Sequence, residues 1–130
     1  MNNSNKTRLC GMLGFAMRAG RVIIGTNQVI SALPSKGKDQ ICLVLISADA
    51  SEGTTKKLTF KCEFYQKTVK RIDIDSAELG RLLGKLYAPA VVAITERRFA
   101  DEILIALGEE RAPSDDQNQK RKESSQKEDR

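Results

Sequence analysis

The sequence predicts an α/β fold in which helices cover both faces of a mixed or parallel sheet. Two short apolar runs, residues 41–46 and 90–94, have the length and β-branched content of strands. Neither run alternates with polar residues, which is typical of central strands buried on both faces. Segments with helical spacing of apolar residues precede, separate and follow them, and this alternation favours a layered α/β architecture.

The predicted elements follow the order α-β-α-β-α-β-α-β-α. Residues 21–24 and 68–74 are the two weaker strand candidates beside the apolar runs. Five apolar stripes with helical spacing occupy the remaining segments, and we expect them to form the core. The stripes are Leu9, Leu13 and Ala16; Val29, Ile30 and Leu33; Leu58, Cys62 and Tyr65; Leu79, Leu82, Leu83 and Leu86; and Phe99, Ile103 and Leu107.

The composition predicts one folded domain, residues 1–107, followed by a disordered charged tail, residues 108–130. From Gly108 onward the chain has no aromatic residue, and Ala112 is its only aliphatic one. Such a segment cannot bury enough apolar surface to offset the entropy lost on ordering.

Several function classes are disfavoured by what the chain lacks. Histidine is absent, which removes the commonest general base and metal ligand. Cys10, Cys42 and Cys62 are widely spaced, so we expect reduced, mostly buried thiols and neither a disulfide framework nor a zinc site. No apolar run is long enough to span a membrane. We therefore expect a cytoplasmic protein that is not an enzyme and that uses no metal or other cofactor.

The charge is unevenly distributed. Residues 1–107 carry 16 Lys and Arg against 10 Asp and Glu, a net charge of +6. Residues 108–130 carry 6 against 7, a net charge of −1. A basic body suits a polyanionic partner such as nucleic acid.

A glycine and three polar residues, "GTNQ" at 25–28, interrupt the apolar pattern between Ile24 and Val29. Gly25 permits an unusual backbone angle, and Thr26 or Asn27 would cap the helix that follows. One interpretation is an ordinary capped turn. The other is a helix start open to phosphate or to base edges, which the amides of Asn27 and Gln28 could match.

Two other loops are less informative. Residues 47–58 lack the spacing of a phosphate-binding loop, so we expect a polar loop with a Ser or Thr cap. In residues 71–84, Asp75 or Ser76 would cap a helix. Gly80 inside that helix indicates a close approach by a neighbouring element.

An ordered set of short motifs resembles the kink-turn-binding ribosomal protein superfamily of ribosomal proteins L-seven-Ae and L-thirty-e. The motifs are "RAGRVIIG" at 18–25, "ADAS" at 48–51, "LTFKCEFY" at 58–65, "LGRLLG" at 79–84 and "AITERRFA" at 93–100. They are similar above all to the small bacterial YlxQ-like branch. The resemblance implies a three-layer α/β/α sandwich with a central mixed four-stranded sheet. It also implies binding of structured RNA.

The resemblance further implies that the start of the second helix contacts RNA. Gly25 and Asn27 match the family pattern, Gln28 replaces an acid, and Ser31 stands where a lysine is expected. A second contact is implied at the loop before "LG", where this chain has Asp73, Ile74 and Asp75, and the two carboxylates would repel phosphates. The candidate RNA-binding residues are Arg18, Arg21, Gly25, Thr26, Asn27, Gln28, Ser31 and Ile74.

We therefore expect a monomeric, ribosome-associated protein that binds kink-turn-like or ribosomal RNA through the start of the second helix. Arg18 and Arg21 would supply the charge that Ser31 lacks. The alternative, suggested by Asp73 and Asp75, is a protein-interaction module on the same fold that has lost kink-turn recognition.

Overall fold

The predicted alternation of helices and strands is confirmed by the computed structural model, which describes residues 3–108. Within that range the elements are α1 (Asn3–Arg18), β1 (Val22–Ile24), α2 (Thr26–Ala32), β2 (Leu43–Ile46), α3 (Glu52–Phe64), β3 (Val69–Arg71), α4 (Ser76–Leu82), β4 (Val91–Ile94) and α5 (Arg97–Ala106). A single 3-10 turn, Gly37–Asp39, lies between α2 and β2. Apart from Gly108, the predicted tail lies outside the described residues.

The four strands form one mixed sheet in the order β1-β4-β2-β3. β4 is antiparallel to both of its neighbours, with Ala93 opposite Ile23 on one side and Val44 on the other. β2 and β3 are parallel, and Val44 pairs with Val69. β1, β2 and β3 therefore all end at the same edge of the sheet, and β4 begins there.

Helices cover both faces of the sheet, which confirms the three-layer sandwich. Along β2, Leu43 and Leu45 point to one face and Val44 and Ile46 to the other, and all four side chains are buried. The first face packs against residues of α1, α4 and α5. The second packs against α2 and α3. Because both faces are covered, the central strands are apolar without interruption.

The predicted stripes supply most of the core, but two of their members do not belong to it. Leu86 is fully exposed because α4 has already ended, and Gly84 turns the chain away with φ +69°. Tyr65 follows the last residue of α3 as its C-cap and is 36% exposed. In both cases the helix stops before the stripe does.

The cysteines are free thiols, and only Cys62 is fully buried; Cys10 and Cys42 are half-buried, so the prediction of mostly buried thiols is wrong for those two. Burial raises the pKa of Cys62 to about 11, since the thiolate is poorly solvated in the core. Burial also raises the pKa of Cys10. No helix within residues 3–108 is long and apolar enough to cross a membrane.

Gly80 packs against the segment between α4 and β4, which confirms the predicted close approach. A Cβ on Gly80 would collide with the carbonyl oxygen of Tyr87 and would stand 3.3 Å from Cδ of Pro89. Gly80 is buried, and the atom that it contacts belongs to the backbone of Tyr87. The collision could therefore not be relieved by rotating a side chain. The absence of a side chain at Gly80 thus sets the path of the segment leading into β4.

Replacing Gly80 by alanine should lower the free energy of unfolding by about 2 kcal/mol, because the methyl group overpacks a backbone contact. Urea unfolding followed by circular dichroism measures the change. Gly11→Ala is the matched control, since a Cβ on Gly11 would meet nothing within 4 Å and the residue lies inside α1. That control should gain about 0.5–1 kcal/mol from helix propensity. Equal effects of the two substitutions would contradict the close approach.

Candidate functional site

Four loops meet at the sheet edge where β1, β2 and β3 end and β4 begins. Backbone hydrogen bonds join them in a row. The N–H of Gly25 donates to the carbonyl of Val91 at 3.0 Å, and the N–H of Ser47 donates to Ala90 at 2.8 Å. The N–H of Ala48 donates to Ile74 at 2.8 Å. We call this row of loops the carboxyl edge.

α2 begins at the carboxyl edge without a side-chain cap. Gly25 is its N-cap, with φ 107° and ψ 145°, a conformation that only glycine adopts readily. The expected unusual angle at Gly25 is therefore confirmed. The predicted cap by Thr26 or Asn27 is wrong, because both residues already lie inside the helix. A Cβ on Gly25 would also stand 2.5 Å from the side-chain amide of Gln28.

The polar residues of α2 form one exposed surface. Asn27, Gln28 and Ser31, together with Ser35, line a shallow open depression of about 410 Å³. Asn27 and Gln28 are exposed, so their amides can donate and accept hydrogen bonds to a ligand. The structure therefore brings together Gly25, Thr26, Asn27, Gln28 and Ser31 from the sequence-predicted set.

The neighbouring loop after β2 is fixed by Asp49. Its carboxylate accepts hydrogen bonds from the Ser76 hydroxyl at 2.9 Å, the Ser76 N–H at 2.8 Å and the Ser47 hydroxyl at 2.9 Å. These three hydrogen bonds hold the pKa of Asp49 below its ordinary value. The bond from the Ser76 hydroxyl has the largest effect, and those from the Ser76 N–H and the Ser47 hydroxyl follow. Asp49 thereby ties the loop after β2 to the start of α4.

Arg71, at the end of β3, holds the same loop from the other side. Its guanidinium donates to the carbonyl of Ala48 and to the hydroxyl of Thr55, each at 2.8 Å. The predicted Ser or Thr cap of the next helix is confirmed, since the Ser51 hydroxyl accepts from the N–H of Thr54. The loop after β2 is thus a rigid wall of the carboxyl edge.

Leu86 and Tyr87 belong to this edge, although sequence reasoning placed Leu86 in the core and gave Tyr87 no role. They lie in the segment that enters β4 beside Gly25, and Tyr87 is 56% exposed. Exposed leucine and tyrosine side chains can pack against nucleobases. The signal that could have located them is Gly84, which ends the helix before Leu86.

Arg18 and Arg21 lie away from the start of α2. Arg21 precedes β1 and Gly25 follows it, so their Cα atoms are about 13 Å apart along an extended strand. The Arg21 guanidinium donates to the carbonyls of Lys38 and Thr95, each at 3.0 Å, and its Nε lies 3.8 Å from Glu96. Arg21 therefore holds the opposite edge of the sheet together.

Arg18 also lies before β1, and its guanidinium stacks on Phe15, 4.9 Å from the ring centre. The expectation that Arg18 and Arg21 flank the start of α2 and replace a missing lysine is wrong, since β1 separates both from it.

The loop after β3 differs from the expected contact surface. Ile74 is 1% exposed and belongs to the core, so its proposed contact with RNA is wrong. Asp75 caps α4, because its carboxylate accepts from the N–H of Glu78 at 2.8 Å. Asp73 is exposed. Within residues 3–108, no three Cys, Asp or Glu side chains form a group that could hold a metal ion.

Most of the chain matches a known protein family. Residues 7–104 match the sequence profile of the ribosomal protein L7Ae/L30e/S12e/Gadd45 family. The chain belongs to this family. It resembles the YlxQ-like branch, since it is 38% identical over 96 residues to the RNA-binding protein YlxQ of Bacillus subtilis. That match covers 74% of this chain and 91% of the relative.

A second YlxQ protein and two solved structures agree with this assignment. The RNA-binding protein YlxQ of Enterococcus faecium is 31% identical over 100 residues, covering 77% of this chain and 91% of that protein. A protein of unknown function from Bacillus halodurans superposes with a TM-score of 0.70 at 32% identity, over 78% of this chain and 98% of the other. The 15.5 kD RNA binding protein of Giardia lamblia superposes with a TM-score of 0.66 at 18% identity, over 83% and 88%. The Giardia likeness shows the fold alone.

Replacing Asp49 by asparagine should lower stability at pH 7, because the charged acceptor of three hydrogen bonds is lost. The folded pKa of Asp49 is depressed, so its contribution is present above about pH 4, the ordinary pKa of aspartate. The contribution is lost as the pH falls through the lower folded pKa. The difference in urea midpoint between wild type and Asp49→Asn should therefore shrink in acid.

Asp39→Asn is the control for this experiment, since Asp39 is exposed and has no side-chain partner recorded within residues 3–108. It should follow the wild type at every pH. A difference for Asp49→Asn that stays constant from pH 7 down to pH 2 would contradict the role of the charged carboxylate.

Proposed function

We propose that this chain is a non-enzymatic RNA-binding protein that recognises structured, kink-turn-like or ribosomal RNA through the start of α2. Membership of the L7Ae/L30e/S12e/Gadd45 family carries this proposal, together with the names of two relatives as RNA-binding proteins. In this proposal the protein acts as a cytoplasmic monomer associated with the ribosome.

The shape of the carboxyl edge supports the location of the site. Asn27 and Gln28 present amides on a shallow depression, and Leu86 and Tyr87 lie on the loop that enters β4 next to Gly25. Amides match base edges, and exposed apolar side chains stack on unpaired bases. This combination suits a bent RNA whose bases are accessible more than it suits a regular duplex, which offers mainly phosphates and 2′-hydroxyls.

Two of the acids beside the site hold the carboxyl edge together. Asp75 uses its carboxylate to cap α4, and Asp49 is surrounded by three hydrogen-bond donors. Asp49, Asp73 and Asp75 are nevertheless all exposed. Their carboxylates weaken phosphate binding beside them, whereas recognition of base edges by α2 does not depend on phosphate contacts.

Replacing Asn27 by alanine should weaken binding of a kink-turn RNA by about 1–3 kcal/mol, or roughly 5-fold to 150-fold, by analogy with base-edge contacts in DNA complexes. Stability should change little, since Asn27 is exposed. Fluorescence anisotropy with a labelled kink-turn RNA, beside a duplex of equal length, measures affinity and preference together.

Thr7→Ala, an exposed polar residue on α1 in the opposite helical layer, is the matched control and should bind as the wild type does. Unchanged affinity of Asn27→Ala would remove α2 from the proposal. Equal, weak binding of both RNAs by the wild type would favour the protein-interaction alternative.

Replacing Ser31 by lysine should strengthen binding of the same RNA, because Ser31 lines the depression on α2 and a cation there would reach a phosphate. The slope of log affinity against log salt should become steeper by about 0.9, the value for one added contact. Ser4→Lys adds the same charge at an exposed position of α1 and is the control. If both substitutions steepen the slope equally, the effect is only that of net charge.

A further inference from the structure

A second depression lies beyond the far end of α2. It has a volume of about 270 Å³, and its polar lining consists of Ser35, Lys36, Gln40, Tyr65 and Lys67. These residues come from three places in the chain: the end of α2, the segment before β2 and the end of α3. We call it the Tyr65 depression.

The Tyr65 depression is continuous with the depression on α2. Ser35 lines both of them, so the surface runs without a break from Asn27 to Lys67. The stretch from Asn27 to Ser35 corresponds to about 12 Å along a helix axis, taking a rise of about 1.5 Å per residue. A strand of RNA that leaves the start of α2 along this helix therefore reaches the Tyr65 depression within a few nucleotides.

The charges at this depression are of one sign. Lys36 and Lys67 line it, and neither forms an ion pair recorded within the described part of the chain. No acidic side chain lines it: Asp39 and Glu63, the nearest acids in sequence, are absent from its wall. Two unpaired ammonium groups around a concave surface attract anionic ligands such as phosphates.

The turn that ends α3 holds Tyr65 and Lys67 in place. The Tyr65 ring meets Phe64 edge to face, with centres 4.9 Å apart and an angle of 83° between the planes. Gln66 adopts a left-handed conformation, φ 58°, and the N–H of Lys67 then donates to the carbonyl of Cys62 at 2.7 Å. This closed turn places an aromatic ring and an ammonium group at one wall of the depression.

We propose that the Tyr65 depression binds an unpaired nucleotide of the same RNA that α2 recognises, with the base on the Tyr65 ring and adjacent phosphates at Lys36 and Lys67. The proposal rests on the proposed function and extends it to a second contact. An aromatic ring in a positively charged groove is the arrangement by which proteins bind single-stranded nucleic acid. Ser35 and Gln40 add hydrogen-bonding groups for a base or ribose.

The test compares two RNAs and three forms of the full chain by fluorescence anisotropy at several salt concentrations. One RNA is a blunt kink-turn, and the other carries about ten unpaired nucleotides on each end, enough to cover one single-strand site. The proteins are wild type, the double variant Lys36→Gln with Lys67→Gln, and a control that loses two charges elsewhere. The control is Lys56→Gln with Arg97→Gln, two residues already in i,i+4 ion pairs.

The wild type should bind the extended RNA about tenfold more tightly than the blunt one, and the double variant should lose this difference. For the double variant on the extended RNA, the slope of log affinity against log salt should become shallower by about 1.4, the value for two single-strand phosphate contacts. A double variant that behaves like the control overturns the proposal. If the double variant behaves like the control while Asn27→Ala still weakens binding, the Tyr65 depression is not an RNA contact and the proposed function of α2 is retained. If the wild type binds neither RNA, both fail.

Tyr65 is tested separately, because the lysines alone do not establish stacking. Tyr65→Phe keeps the ring and should retain the tighter binding of the extended RNA. Tyr65→Leu removes the ring and should weaken binding of the extended RNA about tenfold. Circular dichroism confirms that both variants are folded. Equal affinity of the two variants for the extended RNA would overturn the stacking role.

Discussion

The carboxyl edge depends on one topological constraint, the antiparallel insertion of β4 between β1 and β2. Because β4 runs against its neighbours, it begins where they end, and the segment that leads into it reaches the start of α2. The hydrogen bond from Gly25 to Val91 joins the two directly. If β4 were parallel, Leu86 and Tyr87 would lie at the opposite edge beside Arg21. The same row of loops also requires Gly80, because a side chain there would displace the segment before β4.

The sequence was sufficient to predict the elements, because each depends on local periodicity. The uninterrupted apolar runs became β2 and β4, and the stripes of α1 and α4 became buried faces. The family resemblance supplied the mixed sheet that periodicity alone left open. The order of strands in the sheet depends on pairing between residues far apart in the chain, such as Ala93 with Ile23 and Val44, and no local pattern encodes that pairing.

The site was predicted less completely, for reasons that differ from residue to residue. The family resemblance implies a surface contact at Ile74, yet Ile74 alternates with exposed Asp73 and faces the core as Ile72 does. Proximity in sequence suggests that Arg21 lies at the site, although one extended strand is enough to carry it to the opposite edge. Leu86 continues the apolar spacing of a helical stripe, but Gly84 ends the helix before it. Strand alternation and helix-ending glycines were visible in the sequence, whereas the distance that a strand introduces required its position in the sheet.

The distribution of charge along α2 bears on how the proposed RNA contact would be divided. The part of α2 that lines the depression carries amides and hydroxyls and no cation, so in the proposed function it would contact base edges with little electrostatic attraction. Lys36 and Lys67 lie beyond the far end of this helix, on the surface that Ser35 joins to the first depression. In the two proposals taken together, recognition of bases and attraction of phosphates would occur at opposite ends of α2. Specificity would depend on its first turn, while affinity and its salt dependence would depend on the Tyr65 depression.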